Sequence, residues 1–203
     1  MTGVGGTYLC TNAVTGIGVD NVNPPANCQN QPNREIGWID AGGGFSHVFA
    51  KPGYQDTLPA GSTPIGATRG VPDIAYQASS RTGVLVYDTA PGDAQGGLLC
   101  PTGNPCSAGG WFIVGGTSCS SPQFAGLVAI ADQIAGHGLG QINPTLYQLA
   151  AGPNYSTYFY DVTKGNNQAD PSIPGYPATT GWDPVTGLGT PDAANLVPAL
   201  AAG

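Results

Sequence analysis

Charge is scarce in this sequence, and basic charge most of all. Asp, Glu, Lys and Arg make up 8% of the 203 residues, against about 25% in an average globular chain. Five Lys and Arg residues cannot form the basic patch that nucleic-acid binding requires, so no nucleic-acid partner is expected. Glu35 is the sole glutamate, and the formal net charge is −7. With so few carboxylates to protonate, little in the composition unfolds in acid. That suits an acidic extracellular setting, although a secreted protein at neutral pH would have the same composition. No apolar run nears the roughly 20 residues of a membrane span, so no membrane partner is expected. The opening Met1-Thr2-Gly3-Val4-Gly5-Gly6-Thr7 lacks the basic and apolar regions of a signal peptide. On that reading the chain either stays in the cytoplasm or lacks an upstream part. The cysteines, at 10, 28, 100, 106 and 119, never take the C-x-x-C spacing of zinc or redox sites. Cys10 with Cys28, and Cys100 with Cys106, flank polar loops that disulfides would close, leaving Cys119 as a buried thiol. That pairing implies an oxidising compartment; five free thiols is the alternative.

Turn residues are abundant instead: 33 glycines and 19 prolines alternate with short apolar runs and show no repeat. A strand is expected at residues 4–9, and buried ones at 71–75, 83–87 and 111–114. Residues 11–34 and 57–70 read as loops. Phe124, Leu127, Val128, Ala131, Ile134 and Ala135 recur at helical spacing, with Pro122 expected in the first turn and Gly136 as the stop. Further helices are expected at about 144–150 and 192–201. Buried strands followed by helices argue for an α/β layered fold, with residues 1–203 forming one domain.

The most informative stretch is Gly115-Gly116-Thr117-Ser118-Cys119-Ser120-Ser121-Pro122-Gln123-Phe124-Ala125-Gly126. A strand ends, glycines turn sharply, and a serine stands at a helix start. Free N–H groups and the positive end of the helix dipole favour a developing oxyanion there. The same residues also suit an ordinary helix, because Ser and Thr are favoured N-caps.

Gly-Thr-Ser-x-x-x-Pro-x-x-Ala-Gly resembles the nucleophile motif of subtilisin-like peptidases, both subtilases and sedolisins. The rest of the chain is similar to the sedolisins. Val4-Gly5-Gly6-Thr7 looks like that family's Val-Gly-Gly-Thr strand, and Arg69-Gly70-Val71-Pro72-Asp73-Ile74-Ala75 like its Arg-x-x-Pro-Asp segment. Gly181-Trp182-Asp183-Pro184-Val185-Thr186-Gly187-Leu188-Gly189 resembles a sedolisin C-terminus, an ending subtilases lack. The resemblance implies a subtilisin-like α/β fold with a mainly parallel sheet, of which the chain is the C-terminal portion. It implies a serine-carboxyl peptidase, either an acid-acting endopeptidase or a tripeptidyl peptidase, that cleaves polypeptides through an acyl-enzyme on Ser118.

Read without the family, Asp161 and Asp183 are acids in turn-rich loops, where aspartate often serves only the turn. Calcium takes six to eight hard oxygen ligands, carboxylates and carbonyls mixed. The resemblance implies one calcium ion held by the carboxylates of Asp161 and Asp183 and the carbonyls of Val162, Thr179 and Gly181. Thr179 stands where the family usually has glycine, and a positive φ there would strain it.

A serine hydroxyl needs a base. In sedolisins that base is a Glu oriented by an Asp, and a further Asp stabilises the oxyanion. All three precede the Val-Gly-Gly-Thr strand. Glu35 and Asp40 lie in a glycine-rich stretch that is not helical and do not replace them. The expected partners are therefore polypeptide substrates and the N-terminal half of the catalytic domain. The parent enzyme is expected to be calcium-bound and secreted, and the isolated chain inactive. The alternatives are a subtilase fragment and a non-catalytic, calcium-stabilised fragment.

Overall fold

The computed structural model describes residues 1–10, 28, 35–88 and 110–203. Its first strands are β1 (Val4–Leu9), β2 (Glu35–Gly37), β3 (Gly44–Ala50), β4 (Thr68–Val71) and β5 (Ile74–Gln77). There follow β6 (Val84–Asp88), β7 (Gly110–Val114), β8 (Phe159–Tyr160) and β9 (Thr190–Pro191). The helices are α1 (Thr117–Ala135), α2 (Asn143–Ala151), α3 (Tyr155–Tyr158) and α4 (Ala193–Ala201).

β1 lies between β2, which pairs with it antiparallel, and β5, which runs parallel to it. The remaining pairs, β3 with β4, β6 with β7 and β8 with β9, are antiparallel. The α/β layering matches the expectation, but among the described residues only one pair of strands is parallel. The sheet here is a partial one. The run at 71–75 is not one strand either. Pro72, which has no N–H to donate to a ladder, separates β4 from β5.

A second correction concerns β6 and β7, expected to be buried. Leu85 (63%), Tyr87 (55%), Trp111 (66%) and Ile113 (46%) are exposed. Cross-strand pairing puts these four on one face of the ribbon, where Tyr87 and Trp111 meet edge to face. Periodicity shows which residues share a face but not whether another layer covers it.

The core gathers Ile74 from β5, Phe124 and Ala131 from α1, Leu146 and Tyr147 from α2, Phe159 from β8, and Leu196 and Leu200 from α4 around Trp182. A fully buried apolar side chain contributes roughly 1.5–3 kcal/mol. Cys10 and Cys28 form a disulfide with Cα atoms 5.1 Å apart, beside Tyr8 and Ile36. Cys119 is a buried free thiol. The expected Cys100–Cys106 bridge lies outside the described residues, as does most of the loop expected at 11–34.

Asp73, fully buried between β4 and β5, joins several of these parts. It forms an ion pair with Arg69. Its Oδ2 also accepts from Gly3 N at 2.7 Å and Asn143 Nδ2 at 3.2 Å, and its Oδ1 from the Tyr147 hydroxyl at 3.0 Å. Burial, and then the Asp73 charge, keep the Tyr147 phenol protonated far above its usual range. Gln55 continues the network by donating to the Tyr147 oxygen and to Gly70 O. Removing one partner of such a buried pair costs about 3–5 kcal/mol. Asp73→Ala is expected to lose that much in urea denaturation, and a loss under about 1 kcal/mol would show the network to be dispensable.

Candidate active site and cation loop

β7 runs through Gly115 and Gly116 into α1. Gly116 is the N-cap, at φ 94°, a conformation that L side chains rarely adopt. Its N–H donates to Ala78 O, while its carbonyl accepts from Cys119 N at 2.8 Å. No side chain caps the helix. The favoured role of Ser and Thr at a helix start is therefore not the one these residues play.

The helix begins at Thr117, so Pro122 stands in its second turn, not its first as expected. Proline has no N–H, and Pro122 therefore leaves the Ser118 carbonyl without its usual partner four residues on.

Ser118 and Ser120, two residues apart, have different roles. Ser118 is exposed, and Cys119 and Ser120 are buried. The Ser120 hydroxyl lies within hydrogen-bond distance of Gln77 O (2.9 Å) and Tyr76 O (3.2 Å), which fastens the first turn of α1 to β5. The Gln123 amide donates to Gln77 O and to Cys119 O. Among the described residues, no His, Asp or Glu is hydrogen-bonded to Ser118. His137 sits past the end of α1, its Nδ1 3.2 Å from Gly138 O. Glu35 is buried and accepts from Thr190 Oγ1 at 3.0 Å.

Asp161 and Asp183, 22 positions apart in sequence, converge on the segment 179–181. Both Asp161 oxygens lie 3.1 Å from Gly181 N, and the Tyr155 hydroxyl approaches Oδ1 at 3.4 Å. Asp183 Oδ2 accepts from Thr179 N, and its Oδ1 from Val185 N and Thr186 N, each at 2.8 Å. The Asp183 carboxyl is pushed up to about 6 by burial, against the pull of those hydrogen bonds. Burial also raises Asp161. Burial raises the Tyr155 phenol as well, followed by the Asp161 charge and, more weakly, that of Asp183. The ion pairs among the described residues, Lys51–Asp56 and Arg69–Asp73, involve neither acid. Among the described residues, neither of these two desolvated carboxylates forms an ion pair with a basic side chain.

The donor set fits a hard cation, provided that carbonyls complete it. Among the described residues no group of three or more His, Cys, Asp or Glu side chains comes together. Thr179 does not take the positive φ that would strain it; Gly181 does, at 71°. Val162 is buried beside Asp161.

Several site-building residues were not legible as such in the sequence. Ser120 resembles its serine neighbours, and Tyr155 belongs to a four-residue helix that periodicity did not suggest.

Ser118→Ala is expected to change stability by less than about 0.5 kcal/mol. Ser120→Ala should lose about 1–3 kcal/mol by leaving a buried carbonyl short of a donor. Equal losses in thermal denaturation would contradict this assignment of the two hydroxyls.

No family model matches the chain. Individual proteins do. Kumamolisin of Bacillus sp. is 37% identical over 177 residues, covering 82% of this chain and 28% of that protein. Xanthomonalisin of Xanthomonas sp. is 31% identical over 197 residues, covering 95% and 20%. Human tripeptidyl-peptidase 1 is 30% identical over 176 residues, covering 79% and 27%. The structure of a Pseudomonas sedolisin, a serine-carboxyl proteinase complexed with two molecules of pseudo-iodotyrostatin, superposes with a TM-score of 0.67 at 27% identity. That match covers 100% of this chain and 46% of the sedolisin chain. The chain thus spans roughly a quarter of these curated relatives and under half of the solved one.

Proposed function

Because the chain belongs to the sedolisin family of serine-carboxyl peptidases, we propose that it is the nucleophile-bearing, C-terminal part of a peptidase acting in acid on polypeptides. The observation that carries this reading is the position of Ser118. It is exposed in the first turn of α1, while glycine takes the cap and Ser120 takes the structural hydrogen bonds.

In this reading the Ser118 Oγ attacks the scissile carbonyl carbon and its proton passes to a carboxylate base. The amine leaves with a proton from that acid, and water then hydrolyses the Ser118 ester. The orphan N–H groups of the first turn, with the dipole of α1, favour the oxyanion. The base, its orienting acid and the protonated acid at the oxyanion come from the N-terminal half of the catalytic domain. An acid that donates to an oxyanion must stay protonated, which sets an acidic working range. The isolated chain therefore has negligible activity.

One calcium ion is proposed at the Asp161 and Asp183 carboxylates and the Val162, Thr179 and Gly181 carbonyls. Its role is structural: it would join the Asp161 and Asp183 loops into one cross-linked unit. The parent protein is proposed to be secreted, in keeping with the Cys10–Cys28 disulfide.

Ser118→Ala in the protein as purified from its source is expected to abolish cleavage of denatured protein at acidic pH. Unchanged cleavage would remove Ser118 from the mechanism. Sequencing the products distinguishes internal cuts from release of tripeptides.

Calcium at about 100 times its dissociation constant is expected to add about 2.7 kcal/mol of stability. Excess chelator should then lower the melting temperature of the wild-type chain and leave that of Asp161→Asn unmoved. A wild-type melting temperature indifferent to chelator would overturn the site.

A further inference from the structure

The carboxyl ends of the parallel strands β1 and β5 border a cavity of about 370 Å³. Ligands of open α/β sheets bind outside the carboxyl ends of the strands, and small-molecule sites usually measure about 300–1,000 Å³. Leu9 and Gln77, the last residues of the two strands, line it together with Glu35, Thr82, Gln123 and Thr190. Three of its polar side chains, Glu35 (7%), Gln77 (6%) and Thr190 (6%), are more than nine-tenths buried. Leu9, Val84 and Pro191 supply an apolar wall.

The hydrogen bonding around this cavity is one-sided. The Gln77 amide nitrogen donates to Ser79 O at 2.6 Å and to Thr82 Oγ1 at 3.3 Å. The Gln123 amide nitrogen donates to Gln77 O and Cys119 O. The Thr190 hydroxyl donates to Glu35. Those donors are spent, while Gln77 Oε1 is buried without a hydrogen-bond partner among the described residues. Turning the amide over would set that oxygen against the Ser79 carbonyl, so the unmet acceptor belongs to this arrangement. A guest must therefore bring donors. The lining carries one formal charge, the Glu35 carboxylate, and among the described residues no basic side chain. An alkylammonium ion meets these conditions with three donors, no acceptor, a positive charge and an apolar stem.

We propose that the cavity binds a primary ammonium group on a short alkyl chain, with Gln77 Oε1 and Glu35 at its polar end. Oε1 is shut off from solvent, so binding requires a small turn of the Gln77 side chain toward the guest. The ammonium then supplies the donor that this oxygen lacks. Gln123 lies five residues beyond Ser118 on α1, about 140° around the helix. The site is thus on another side of α1 from Ser118, and the proposal stands independently of the role given to that serine.

The test is calorimetric titration of the full 203-residue chain with n-butylammonium, uncharged n-butanol and Nα-acetyl-lysine methylamide. n-Butylammonium should bind one to one and at least roughly tenfold more tightly than n-butanol. Glu35→Gln should remove that preference, and Gln77→Leu should weaken n-butylammonium at least roughly tenfold. Gln148→Glu, exposed on α2, should bind as wild type. If either cavity variant unfolds the chain, Val84→Phe, which fills the cavity from a half-buried position, should abolish binding instead. The third probe separates the two sources of the same chemistry. Binding of the lysine amide as tightly as n-butylammonium identifies a polypeptide lysine, and its exclusion identifies a free amine; either upholds the site. No binding of n-butylammonium, equal binding of n-butanol, or wild-type affinity in Gln77→Leu or Val84→Phe would each overturn the proposal.

Discussion

The Asp73 carboxylate is the charge on which the remaining parts converge. It is fully buried, and its cost of desolvation is offset by Arg69, by the Gly3 N–H and by two side chains of α2. Its backbone serves as well: Asp73 O accepts from Leu188 N, and Asp73 N donates to Gly3 O. One residue thus fixes the entry to β1, the start of β5, the α2 helix and the loop that carries Asp183.

From there the order passes to Ser118 along a short path. Held at one end by Asp73, β5 presents Tyr76 O and Gln77 O to the Ser120 hydroxyl, and Ala78 just beyond it offers its carbonyl to Gly116 N. These bonds hold the first turn of α1 to the sheet and leave Ser118 outside it. A comparable path reaches the loop that carries Asp183. The Trp182 indole donates to Pro72 O, and its backbone N–H to Ser62 Oγ, so the loop closes over the core beside the Asp73 junction. Both candidate sites depend on the same buried polar centre, which explains how a chain so poor in charge places its charges with such economy.

The unfilled side of α1 and the bare ribbon of β6 and β7 are two signs of one condition. In both places apolar and small residues face outward, and the chain spans less than half of the solved sedolisin it matches. β1 and β5 alone among the described strands have parallel partners, and each further parallel strand would need its own crossover connection.

The sequence by itself determined the family, through motifs whose order does not depend on folding. It also determined β1 and the end of α1 at Gly136. The helix end follows from local causes: helical spacing and a glycine at the αL stop. Only the tertiary structure decided which serine is bound and which is exposed, because Ser118 and Ser120 have the same local chemistry and differ in what β5 brings to them. Only it joined Asp161 to Asp183, acids 22 residues apart that meet through the backbone of 179–181. And it alone made Asp73 a centre, because burial and hydrogen-bond partners from three distant segments are properties of the packed chain.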